Sequence, residues 1–195
     1  VEAETSLAEE RRRCAAEAPD FVFVCAGLGI EKIDTRALWP WLRSLEQGGV
    51  GIGGLCTGSW VLAEAGLLDG KRCSIHWETL PAFAERFPEA QVYADIYEVA
   101  DNIFTCPGGT AALDMMLGII EADHDETLVM RLCEQCLADR VRPATDRQRL
   151  PLRARLTVNN SKLLTIIELM EANVEEPLSL VDISRYVGLS RRQVE

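Results

Sequence analysis

Histidine is nearly missing from this chain: 195 residues carry two, His76 and His124. A cysteine nucleophile that hydrolyses its substrate needs a general base within reach of its proton, so such chemistry has few places to sit here. Long apolar runs are missing too. No stretch approaches the roughly 20 residues that cross a bilayer, so no membrane partner is expected. The first residues, "VEAETSLAEE", lack the basic-then-apolar layout of a secretion signal. They also lack an initiating Met and open in mid-pattern, so the chain is expected to be a fragment.

Basic charge is scarce over most of the length. Residues 1–139 hold 10 Lys/Arg against 24 Asp/Glu, residues 140–158 hold six Arg against one Asp, and residues 159–195 hold 4 basic against 6 acidic groups. The overall charge of −11 therefore resides in the first part, and the asymmetry points to separate modules. The cysteines number seven, an odd count at scattered spacings, which excludes a simple disulfide framework and fits a reducing cytoplasm. Cys133 and Cys136 form a CxxC, but "RLCEQCLADR" is helix-like and no second ligand pair follows at zinc spacing. No metal and no cofactor is expected.

What is present is an alternation of short apolar runs and helical periods from 20 to about 122. "FVFVCAG" (21–27) and "VGIGGL" (50–55) read as buried strands. "DTRALWPWLRSLEQGG" (34–49) reads as a helix capped by Asp34 and stopped at Gly48, with Pro40 near its first turns. "TGSWVLAEAGLLDG" (57–70) and "ETLPAFAERFP" (78–88) are helices around a short strand "KRCSIHW" (71–77). "QVYADIYEVADNIFTC" (91–106) gives two or three strands turning at Asp95 and at Asp101–Asn102, and two helices follow over 109–123 and 125–140. The pattern predicts an α/β fold, a parallel sheet covered on both faces.

Residues 140–158, with six arginines, form the linker. They read as a solvated tether; an arm touching phosphate is the alternative. Beyond it, "NNSKLLTIIELMEANVEEP" is an amphipathic helix capped by Asn159 or Asn160, with Leu163, Ile166, Ile167, Met170 and Val174 on one stripe. "LSLVDISRYVGLSRRQVE" holds a short helix capped by Ser179, a Gly188-Leu189-Ser190 turn, and a second helix opened by Ser190 with Gln193 at the capping-box position. Two short helices about such a turn make a helix-turn-helix, whose second helix meets the DNA major groove. Ser190, Arg191 and Arg192 stand at that helix's start and are the candidate DNA contacts; a small helical hairpin with solvated arginines is the alternative.

"GIGGLCTGSW" (51–60) holds the other candidate site. A strand that ends in Gly-Leu-Cys-Thr-Gly and turns directly into a helix is a nucleophile elbow, with Cys56 at its apex and Gly54 and Gly58 leaving room for the turn. The helix start favours a thiolate there. Gly27, after the first strand, can bring a backbone N–H close, and "CPGGT" (106–110) opens a second strand-to-helix turn on the same edge. A pocket with a taste for anions is expected at that carboxyl edge, lined by Gly27, Cys56, Thr57, His76, Gly108, Gly109 and Thr110. No catalytic residue is assigned beyond the candidate Cys56. His124, between two aspartates, reads as a solvated surface residue, and His76 as a structural or ligand-contacting residue rather than a base.

The stretches "GGLCTGSWVLAEAGLLDGKRCSIHW" and "TCPGGTAALDMMLGIIEAD" make residues 20–139 resemble the class I glutamine amidotransferase-like domain of the PfpI type, and residues 159–195 resemble the first helix-turn-helix of the AraC/XylS family. The pairing is similar to amidotransferase-like regulators of that family. The resemblance implies a flavodoxin-like sensor domain over 1–139, incomplete at its start, the 140–158 linker, and a partial DNA-binding domain over 159–195. It implies a cytoplasmic bacterial homodimer, nucleoid-associated when bound to DNA, that senses a small amine or amino-acid metabolite. Proteolytic and deglycase relatives carry His after the elbow Cys, where this chain has Thr57, so the dyad is missing. A Cys-Thr-Gly elbow is shared with isonitrile hydratases, which keeps a Cys56-dependent hydratase or hydrolase as the alternative. The resemblance further implies about three strands ahead of this chain and a second helix-turn-helix after it.

Overall fold

Glycine occupies the centre of the sheet. The computed structural model describes residues 5–149, 156, 160–174 and 176–195, and the chain divides into two compact units, Val1–Gln148 and Arg149–Glu195. In the first unit β1 (Phe21–Ala26), β2 (Gly51–Cys56) and β6 (Ile103–Cys106) run parallel, and β5 (Glu98–Ala100) pairs antiparallel with β6, giving the order β1-β2-β6-β5. The β5–β6 hairpin makes the sheet mixed rather than wholly parallel. Its tight turn uses Asp101 at φ +56°, a left-handed conformation that Asp tolerates better than most residues. A separate parallel pair, β3 (Arg72–Ser74) with β4 (Gln91–Tyr93), lies beside it and is tied in by the Ser74 N–H donating to Thr105 Oγ1 at 2.8 Å.

Gly51 and Gly53 of β2 face the same side as the rings of Phe21, Phe23 and Phe104. A Cβ on Gly51 would stand 2.4 Å from Phe21, and one on Gly53 2.0 Å from Phe23. Leu55 continues this face and packs with Phe23, Phe104, Ile96 and Met115 under α5 (Ala111–Asp123). The other face carries Val22, Val24, Ile52 and Ile103 against α2 (Trp39–Gln47) and α3 (Gly58–Glu64), where Leu42 and Leu62 are fully buried. Helices thus cover both sides, as the continuous apolar runs require. The remaining helices are α1 (Leu7–Ala16), α4 (Leu80–Arg86) and α6 (Glu126–Gln135).

Two boundaries differ from the sequence reading. Asp34 does not cap α2. Its carboxylate accepts from the Arg36 backbone N–H and guanidinium at 2.7–3.1 Å, and the helix begins five residues later with Pro40 in its first turn, where a missing N–H costs nothing. The helix after the elbow stops at Glu64, and Gly66 and Gly70 take positive φ to reach β3. The segment read as a tether also behaves differently where it is described. Ile96 N–H donates to the carbonyls of Ala144 and Asp146, and Arg142 grips α5 through Asp114, so residues 142–148 pack on the first unit. Arg153, Arg155 and Asn159 lie outside the described residues.

In the second unit α7 (Ser161–Ala172) is capped by Asn160, whose side chain accepts from the Lys162 and Leu163 N–H groups. Its stripe is largely uncovered: Leu163, Met170 and Val174 are exposed, and Ile166 and Ile167 are half-buried. The chain continues through α8 (Leu180–Val187) and α9 (Arg191–Val194).

Candidate functional site

Cys56 stands at the apex of the β2–α3 turn with φ +59°, a left-handed backbone that is strained for any residue with a side chain. The turn is tight because Gly58 passes the Val24 carbonyl so closely that a Cβ would sit 2.0 Å from its oxygen. The thiol is half-buried. Among the described residues no hydrogen bond joins its sulfur to an imidazole or carboxylate. The residue behind it, Thr57, is 2% exposed, and its hydroxyl donates to the Gly27 carbonyl at 2.7 Å. Gly27 therefore engages the elbow through its carbonyl rather than through an N–H. His76 Nδ1 accepts weakly from the Glu78 N–H at 3.4 Å, and its ring tilts against Trp77.

Cys106, at the end of β6, is a second thiol under the elbow. Burial pushes it up to about 11, opposed by hydrogen bonds from the Gly108 and Cys56 backbones. Gly108 (φ +85°) and Gly109 (φ +58°) both need glycine's freedom, and Gly108 approaches Cys56 so closely that a Cβ there would stand 2.7 Å from the Cys56 Cβ. The ends of β1, β2 and β6 are thereby brought together on one edge.

Beside that edge lies a cavity of about 190 Å³, walled by His76, Trp77, Gly108–Thr110, Arg142 and Gln148. Of the expected ligand residues, His76, Gly108, Gly109 and Thr110 line it. Gly27, Cys56 and Thr57 do not; Cys56 lies behind the Gly108 wall. A wider cleft of about 640 Å³ sits at the opposite end of the strands, near Pro19, Gly49 and Asn102, and no elbow residue reaches it. Arg142 and Gln148 went unforeseen because nothing in a Pro- and Arg-rich segment marks two of its residues as wall-formers. Arg142 donates Nε and Nη2 to Asp114 Oδ2 at 2.9 and 2.6 Å, and Nη2 to Thr110 Oγ1 at 2.8 Å, so its charge is matched by a carboxylate that is only 7% exposed. Nearby, burial, followed by the hydrogen bond and charge of Glu98, raises the Asp95 carboxyl, against the pull of Arg72.

The other candidate site assembles from local signals. Ser179 accepts from the Asp182 N–H to start α8, and Gly188 closes it at φ +64°. Ser190 opens α9, with Gln193 Oε1 accepting from both its N–H and its hydroxyl. Ile183 of α8 is buried. Arg191 pairs with Glu195 at 2.8 Å, both groups being solvent-exposed, and Arg192 has no ion-pair partner among the described residues. In the CxxC, Cys133 packs with Leu117 and Val129 while Cys136 faces solvent.

The DJ-1/PfpI family pattern matches residues 1–122. The HTH-type transcriptional regulator GbdR of Pseudomonas aeruginosa is 44% identical over 180 residues, 92% of this chain and 49% of that protein. The chain thus spans about half the length of the curated relatives it matches. An isonitrile hydratase of Pseudomonas putida is 33% identical over 107 residues, 52% of this chain and 44% of that enzyme. Among solved structures, an AraC family transcriptional regulator from Pseudomonas putida superposes with a TM-score of 0.58 at 27% identity, over 70% of each chain.

Proposed function

The chain belongs to the DJ-1/PfpI family, and from that premise we propose that it is the sensing and first DNA-binding part of a ligand-responsive transcriptional regulator. Its α/β unit binds a small amine or amino-acid effector without transforming it. The helix-turn-helix reads DNA, with Arg191 and Arg192 at the start of α9 reaching base edges or phosphate and Ser190 fixing that start. The whole protein is a homodimer in the bacterial cytoplasm. The observation that carries this reading is the elbow without a base: Cys56 keeps the strained geometry of a nucleophile, while Thr57 turns its hydroxyl to Gly27. The identity to GbdR along 92% of this chain supports the regulatory half of the reading. An effector can act only by binding two arrangements of the protein with different affinity.

DNA selected by the whole protein from a random pool tests it. Replacing Arg191 and Arg192 by Ala should weaken binding and lower the salt slope by about one per lost phosphate contact. Unchanged affinity and slope in the double variant would remove the helix-turn-helix from the account.

A second reading, a Cys56-dependent hydratase, rests on the elbow and on the partial likeness to isonitrile hydratase. Turnover of an isonitrile that disappears in Cys56→Ser would establish it; a panel of isonitriles and small amides left untouched would dispose of it.

A further inference from the structure

Residues 142–148 are fastened to the first unit by hydrogen bonds rather than by packing. Arg147 meets Asp95 in an isolated antiparallel bridge. On either side of it the Ile96 N–H donates to the Ala144 and Asp146 carbonyls at 3.1 Å, and the Gln148 N–H donates to the Ala94 carbonyl at 3.4 Å. Gln148 Nε2 adds bonds to Ser74 Oγ, the Ile75 carbonyl and the Asp95 carbonyl at 3.2, 2.9 and 3.0 Å. At the other end the Arg142 N–H and guanidinium donate to Asp114 at 2.6–2.9 Å. No residue from 142 to 148 is itself buried.

A segment with so little apolar burial opens locally before the domain unfolds. Docking also carries a standing cost, because Gln148 Oε1 is buried without a hydrogen-bond partner among the described residues and opening returns it to water. The floor is firmer: Ile96 is 1% exposed and belongs to a cluster with Cys106, Ala111 and Met115. The cavity beside the elbow depends on the segment, since Arg142 and Gln148 form its wall together with His76, Trp77 and Gly108. Lifting residues 142–148 removes that wall, so the cavity is complete in the docked arrangement alone. Any molecule that fits it binds that arrangement better and shifts the balance toward it.

Docking also fixes where the chain leaves the first unit. Docked, it leaves at Gln148, the last residue of that unit. Released, it leaves at Val141, which packs on the cluster of Leu117, Val129 and Cys133. The freed residues 142–148 then add up to about 25 Å of reach. We propose that residues 142–148 are a releasable strap that sets the reach of the DNA-binding unit. A filled cavity holds the strap down and keeps the connection short; an empty one permits release and the longer connection. The proposal rests on the regulator reading above and supplies the coupling between its two halves.

Amide hydrogen exchange of the whole protein, read at Ile96, tests the strap directly, because that N–H is bonded to strap carbonyls. It should exchange about tenfold or more faster than the Ile52 N–H, which donates to the Asn102 carbonyl within the sheet. Gln148→Ala should speed Ile96 by a further factor of about ten and leave Ile52 unchanged. A reversible lock gives the opposite change. The bonds flanking Asp95 and Arg147 mark a non-hydrogen-bonded pair, whose Cα atoms stand about 4.5 Å apart, within disulfide range. Asp95→Cys with Arg147→Cys, closed by oxidised glutathione, should slow Ile96 to the rate of Ile52, and dithiothreitol should undo this.

Reach is read on DNA selected by the whole protein from a random pool. One full turn of duplex, about 34 Å, inserted between the two halves of the selected site keeps both halves facing the same way. The insertion should weaken binding by the oxidised lock about tenfold more than binding by Gln148→Ala. Ile96 exchanging no faster than Ile52 in the parent, or equal spacing tolerance in the lock and in Gln148→Ala, overturns the proposal. Failure to select any DNA overturns the regulator reading and the reach with it, while exchange at Ile96 still decides separately whether the strap opens.

Discussion

The hydroxyl of Thr57 and the carbonyl of Gly27, 2.7 Å apart, tie the end of β1 to the turn that carries Cys56. The bond sits in a place where Thr57 is almost wholly shielded from water, so the residue beside the thiol serves the backbone instead of the sulfur. Thr57→Val keeps the shape and leaves the Gly27 carbonyl unpaired. It should cost about 1–2 kcal/mol, read as a lower urea midpoint at unchanged slope.

The elbow backbone holds strain that substitution can release. Cys56 has φ +59°, so Cys56→Gly should be more stable than Cys56→Ala by about 1 kcal/mol. Thermal unfolding of the two variants measures the difference. Equal melting temperatures would mean that the turn relaxes without the sulfur.

Glycines of the first unit should fall into two classes. At Gly58 an added Cβ meets backbone, the Val24 carbonyl, and Gly58→Ala should cost about 3 kcal/mol or more. At Gly53 the obstacle is the Phe23 ring, only partly buried and able to swing outward, so Gly53→Ala should cost nearer 1 kcal/mol. The comparison needs only denaturation midpoints.

Alkaline stability should carry the mark of Cys106. Its thiol is pushed up to about 11 from an ordinary 9.0, so between these values the folded chain holds a proton that the unfolded chain has lost. Folded protein binding more protons means stability falls as pH rises through that window. Cys106→Ala should remove this component, on the order of 2 kcal/mol by the upper end. Urea midpoints of both proteins across the window test it. A parallel pH dependence in the two would assign the loss to other groups.

Arg142→Ala should destabilise the first unit by about 2 kcal/mol, because Asp114 is left shielded and unpaired. The figure is kept below that of a deeply buried pair since the Arg side chain is 32% exposed. Arg142→Lys should recover little, as an ammonium cannot serve Asp114 and Thr110 from one planar group. Proteolysis at Arg147 and Arg149 should accelerate in both variants as residues 142–148 come loose.

Legibility in the sequence followed the range of the forces involved. The Cys56 elbow and the Gly188–Ser190 turn were readable because each is decided within a few residues, by a left-handed backbone and a capping hydroxyl. Helix α1 was readable in principle: Ser6 and Glu9 form a capping box in which Glu9 Oε2 accepts from the Ser6 N–H at 2.8 Å. Asp34 misled because a nearby guanidinium, Arg36, competes for the carboxylate that would have capped a helix. The wall formed by Arg142 and Gln148 was illegible, since their partners Asp114 and Ser74 lie 28 and 74 residues away. The inward turn of Thr57 was hidden for the same reason: a Cys-Thr pair does not reveal which way its hydroxyl points.

Bare backbone in β2 also decides how the strands may line up. Shifting β2 by one position against β1 would bring Ile52 to the side where Phe21 and Phe23 lie flat over Gly51 and Gly53, and the rings would have nowhere to rest. Residues with poor strand preference thus help choose the alignment: a slip by one position is opposed by collision between Ile52 and the rings, whereas the observed pairing seats each ring on bare backbone.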